Sequence, residues 1–137
     1  MFHHEKLNVY QRSLEFAAWS QILIDSLTKK TTTRDQRQRA GDSIALNIAE
    51  GNGKFSMKDR ARFFQIAHDS ALESAACLDL FVARGCCETP AIEQGKSILE
   101  EVVKMLFVML DRLGCRIAED AGVYGEQTEV EGAEEEE

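Results

Sequence analysis

Apolar residues recur at helical spacing in four long stretches of this chain, and only short turn signals separate them. Helices joined by short connections lie antiparallel to their neighbours. The pattern therefore predicts an all-α fold, an antiparallel up-down-up-down four-helix bundle. Composition supports it: 137 residues include a single proline and nine glycines, so helix breakers are few. The length suits one domain around one core.

The first helix is expected from about Asn8, as N-cap, to Lys29. It carries two apolar stripes, Tyr10, Leu14, Ala17 and Ile24 on one side and Val9, Phe16, Trp19, Leu23 and Leu27 on the other. Thr33 with Gln36 reads as a capping box that opens a second helix, which runs to Glu50 and stops at Gly51. Ile44, Ala45 and Ile48 line one face of it, Leu46 and Ala49 another, and Ser43, Asn47 and Glu50 a third. Gly51-Asn52-Gly53 is a turn signal with positive-φ residues available. Ser56 with Asp59 caps a third helix, Met57 to Arg84, that ends at Gly85. Its small residues Ala67, Ser70, Ala71, Ser74 and Ala75 permit close helix approach. Thr89-Pro90 starts a fourth helix that continues to about Ala118, with Leu99, Val102, Val103, Leu106, Leu110, Leu113 and Ile117 as its core stripe. Residues 1–118 thus form the bundle. Residues 119–137 are rich in charge and poor in large apolar groups, and are expected to be a disordered acidic C-terminal tail.

Helices one and two carry more apolar surface than one bundle can cover, and uncovered patches of this kind mark protein interfaces. Self-association is the expectation, with Phe16, Trp19, Leu23 and Leu46 as candidate interface residues.

Charge divides the chain. From residue 118 onward there are nine acids and no Lys or Arg, which leaves 15 acids against 16 bases in the rest. Residues 29–62 hold nine bases and four acids, so this section is basic. Arg34, Arg37, Lys54, Lys58, Arg60 and Arg62 are the candidate phosphate contacts of an alternative function, RNA or DNA binding. The acidic tail would repel phosphate or compete for the same patch.

Other chemistry finds little support. No apolar run approaches 18 residues, and the N-terminal residues lack the pattern of a signal peptide, so no membrane association and a cytoplasmic location are expected. Cys77, Cys86, Cys87 and Cys115 lack C-x-x-C spacing and read as free thiols. His3-His4-Glu5 has no partner at a metal-ligand spacing, and His68 is the one other histidine. No metal, cofactor, catalytic group or small-molecule substrate is expected. The polar set Ser43, Asn47, Glu50, Ser70 and Glu73 is the most unusual feature. Glu50 and Glu73 as a carboxylate pair would suggest acid–base work. The competing view has Asn47 and Glu50 capping the Gly51 turn and the whole set fixing helix register through paired polar groups.

The segment Ser43-Ile44-Ala45-Leu46-Asn47-Ile48-Ala49-Glu50-Gly51 closely resembles the S-I-x-x-N-I-A-E-G signature of the four-helix bundle proteins encoded in intervening sequences of 23S ribosomal RNA genes, often labelled ribosomal protein S23. Leu7 to Gln11 resembles the family's opening L-x-V-Y-x segment, and Phe63, Ala67, Ser70 and Glu73 fit its third-helix F-x-x-x-A-x-x-S-x-x-E pattern. The likeness spans roughly residues 5 to 117. It departs at Asp69, preceded by His68, where the family usually has Gly before the serine. The resemblance implies a homopentamer around a central channel, no known catalytic activity, and kinship with accessory proteins of diversity-generating retroelements that bind reverse transcriptase and nucleic acid. The expected function is thus a non-enzymatic, self-associating binding or scaffold protein.

Overall fold

The computed structural model describes residues 1–27 and 32–114. Among these stand four α-helices, α1 (Asn8–Ser26), α2 (Thr32–Asn52), α3 (Met57–Ala83) and α4 (Glu93–Arg112), with 3₁₀ turns at His3–Lys6 and Thr89–Ile92. The chain divides into two compact units, Met1–Leu106 and Phe107–Glu137. Of the second, residues 107–114 are described: the last turns of α4 and a turn that ends at Gly114 with φ 85°. The expected 29–32 connection, the far end of helix four, Cys115 and the acidic tail lie wholly or largely outside the described residues.

Helix ends follow local chemistry, with three departures from expectation. Asn8 is the first helical residue and not the cap. The extended residue before it, Leu7, takes that place because it closes the preceding 3₁₀ turn, donating its N–H to His4 O at 3.1 Å. Thr89 likewise lies inside a 3₁₀ turn, so α4 proper starts at Glu93. The third departure is at Gly51, which continues α2 to Asn52 instead of stopping it, and neither Gly51 nor Gly53 has positive φ. Gly51 serves close approach: a Cβ there would stand 2.8 Å from Phe64 Cε1 and 3.0 Å from Phe63 Cβ. Two termini match the sequence pattern. Ser56 Oγ accepts from Asp59 N at 3.1 Å and caps α3. Gly85, at φ 75°, ends that helix; Cys86 N donates to Phe81 O at 2.8 Å and Gly85 N to Val82 O at 3.0 Å, the paired bonds of a Schellman stop.

Within the first unit, polar links fix how the helices run. Ser70 Oγ to Ser43 Oγ at 2.8 Å and Gln36 Nε2 to Glu73 Oε2 at 3.1 Å hold α2 and α3 antiparallel. Arg12 grips Glu101 between α1 and α4 with two bonds of 3.0 Å, and Lys96 reaches Asp79 between α4 and α3 at 2.6 Å. Between these links lies a core of Val9, Phe16 and Ile24 from α1, Ile44 and Ile48 from α2, Phe64, Leu78 and Phe81 from α3, and Leu99, Val102 and Leu106 from α4, all buried. Each such side chain contributes roughly 1.5–3 kcal/mol by leaving water. The small-residue face of α3 is buried as well, at Ala67, Ser70, Ala71 and Ser74. On α1, Ser13 and Ser20 are fully enclosed, each donating to a carbonyl of its own helix, Tyr10 O at 2.6 Å and Ala17 O at 3.1 Å.

Two of the four interface candidates lie in this core. Phe16 is 0% exposed and Leu23 8%. Both face the interior of their own chain, which removes them from any surface a second copy can reach. Trp19 is half-buried and Leu46 is 67% exposed.

Candidate interaction surface

The polar set resolves into one cluster and two separate acids. Ser43 is its hub: Asn47 Nδ2 donates to Ser43 Oγ at 2.9 Å and to Ser43 O at 2.8 Å, while Ser70 Oγ donates across from α3. Asn47 therefore bonds back along its own helix and does not cap the Gly51 turn. Glu50 and Glu73 are both exposed and do not meet. Glu50 pairs with Lys54 Nζ at 3.1 Å, and Glu73 accepts from Gln36. The Ser43–Ser70 register puts Glu73 level with Ala40, ten residues from Glu50, so about 15 Å separates the two along the α2 axis. A carboxylate pair for acid–base work is absent at this point of the fold. Asp69, at the departure from the family pattern, is exposed, and the Ser43–Ser70 bond beside it is short, so the two helices approach closely there. His68 is buried, its Nδ1 3.5 Å from Asp69 Oδ1.

Lys54, Lys58, Arg60 and Arg62 lie where α2 turns into α3, whereas Arg34 and Arg37 lie near the other end of α2. Arg60 Nη1 donates to Asn52 O at 2.8 Å and to Lys54 O at 3.4 Å, which ties the connection to α3. Lys54 Nζ lies 5.0 Å and Arg62 Cζ 4.5 Å from the centroid of the Phe63 ring, two cations against one aromatic. Lys58 and Arg62 are exposed and Arg34 is half-buried. Between the bases Phe55 is fully exposed, at 104%, and Met57 61% exposed. The sequence reading missed these two apolar side chains. The available signal was that Phe55 sits between Gly53 and Ser56, outside any helical period, where no core can receive it.

Arg37 is a correction. It was expected as a surface phosphate contact, but it is 2% exposed, its guanidinium 5.8 Å from the Phe16 ring centroid inside the bundle. Burial pulls it below the ordinary arginine range, and the charge of Asp42 works against that pull.

Elsewhere, a groove of about 430 Å³ between α3 and the start of α4 is lined by Asp79, Val82, Ile92, Lys96 and Glu100 among others. Cys77, Cys86 and Cys87 are free thiols, and burial raises those of Cys77 and Cys87. Among the described residues no cluster of three His, Cys, Asp or Glu suits a metal ion, and no helix is long and apolar enough to cross a membrane.

Comparison with known proteins follows the same outline. Residues 5–108 match the family described as 23S rRNA-intervening sequence protein. The fold is similar to the crystal structure of a protein of unknown function from the S23 ribosomal protein family of Bacteroides thetaiotaomicron. The TM-score is 0.68 at 26% identity, over 74% of this chain and 97% of that one. No curated protein matches.

Proposed function

This chain belongs to the 23S rRNA-intervening sequence protein family, and on that footing we propose that it acts as a non-enzymatic, self-associating scaffold, assembled as a homopentamer. The observation that carries this reading is Leu46, 67% exposed within the signature segment of α2. Its helix already buries Ile44 and Ile48 inside the subunit, so Leu46 offers a second apolar side that stays open to solvent. Ile22 on α1, 72% exposed, does the same, as do Ile66 and Leu72 on α3 at 37% and 42%. Single exposed apolars are ordinary; several on three helices of one bundle favour burial against copies. The separation of Glu50 from Glu73 supports the non-enzymatic part. Size-exclusion chromatography with light scattering at micromolar concentration tests the proposal: five times the 15.4 kDa chain mass is expected, and a single-chain mass overturns it. Leu46→Glu is expected to dissociate the assembly while helical circular dichroism persists.

A second reading, an accessory protein that binds nucleic acid, is favoured by Phe55. A fully exposed ring in the connection just ahead of exposed Lys58 and Arg62 is suited to stacking on an unpaired base while the cations meet phosphates. Binding to single-stranded RNA across a salt series is expected to weaken steeply with salt. It is also expected to fall at least tenfold in Phe55→Ala with Lys58→Glu. Equal binding by wild type and variant removes this reading.

A further inference from the structure

Arg37 is among the largest wholly enclosed side chains of the bundle, yet its Nε and Nη1 have no hydrogen-bond partner among the described residues. The enclosed Ser74 Oγ has none either. The Ser43–Ser70 register sets Arg37 level with Ala76, so Ser74 stands two residues, about 3 Å along the axis, away on α3. The position is built to receive a guanidinium. Gly41, one turn along α2, leaves open the space that Arg37 Nη1 fills, and the Phe16 ring covers one side of the group. Asp42 and Cys77 are near enough for their charge to be felt, but neither bonds to it. A buried charge is costly until it is paired and its hydrogen bonds are met. The guanidinium presents two edges, Nε with Nη2 and Nη1 with Nη2, each matched to the two oxygens of a carboxylate.

We infer that Arg37 is an anion-binding site within the bundle that takes one carboxylate across an edge of its guanidinium. The carboxylate is that of a small molecule in solution. The test uses the full-length protein and acetate as probe, with chloride, which lacks the paired oxygens, at equal ionic strength. The Nε–Hε resonance of Arg37, assigned with Arg37→Met, is expected to move along a saturating curve with acetate and far less with chloride. Acetate is expected to raise the midpoint of thermal unfolding by about 2–4 °C over chloride. That difference disappears in Arg37→Met and shrinks in Gly41→Ala, whose added Cβ contests the space of Nη1. The inference is overturned if acetate does not move the Arg37 resonance, or if wild type and Arg37→Met follow the same thermal series.

Discussion

The indole of Trp19 on α1 fills the space in which a Cβ on Gly95 of α4 would stand. The helices approach here as closely as a missing side chain allows. Gly95→Ala therefore forces a bulky, half-buried ring to shift, unlike the tip of a flexible chain. Overpacking of this kind costs about 1–3 kcal/mol. Urea unfolding is expected to give that loss, and the fluorescence of the chain's single tryptophan should report the displaced ring.

The bond between Ser43 and Ser70 is the polar link at the centre of the α2–α3 pair. Ser43→Ala also takes from Asn47 Nδ2 one of its two acceptors, leaving it the Ser43 carbonyl, whereas Ser70→Ala removes one donor only. The first substitution is expected to cost more, and a double-mutant cycle should return a coupling of about 0.5–1.5 kcal/mol. A coupling near zero would show that register is set by the apolar core alone.

Arg12 holds Glu101 by a two-bond fork, and the hydrogen bonds from that guanidinium set the Glu101 carboxyl below its usual range. A carboxyl whose folded value is depressed stabilises the fold above its unfolded value. That contribution is lost as pH falls through the folded one. Thermal midpoints measured from pH 7 down to pH 3 should therefore separate wild type from Glu101→Gln at neutral pH, with the gap closing on the acid side. The pair is on the surface, so high salt should narrow the gap as well.

Cys77 is enclosed at 1% exposure, while Cys87 is half-buried. Burial raises both thiols, so neither is a ready nucleophile, and access decides between them. Alkylation of the native protein followed by peptide mapping should label Cys87 roughly a hundredfold faster than Cys77, whose rate is limited by opening of the bundle. Equal rates would place Cys77 nearer the surface than the fold has it.

The bundle was legible because periodicity and breakers act locally. Ser56 and Gly85 end α3 by bonds within a few residues of themselves. Phe16 and Gly51 were harder. An apolar residue on a two-sided helix faces either the core or a neighbour, and periodicity cannot say which of the two stripes points inward. Gly51 looks like a turn residue by composition, and only the approach of Phe64 from α3 gives it another role. Arg37 failed for the same reason: a base in a basic section reads as surface until Gly41 and Phe16 are seen to enclose it. Of the polar set, Ser43, Asn47 and Ser70 do come together. Glu50 and Glu73 do not, because spacing within each helix carries no information about the offset between them.

The two bonds from Arg60 to the carbonyls of Asn52 and Lys54 have a consequence for whatever meets Phe55. A ring at the tip of a floppy connection forfeits its own freedom when it docks, and that loss subtracts from affinity. Here the backbone on one side of the ring is tethered before any encounter, and Ser56 fastens the other side as a helix cap. The entropic penalty of docking is therefore met largely during folding. Arg60→Ala should weaken capture at this tip while Phe55, Lys58 and Arg62 are all retained.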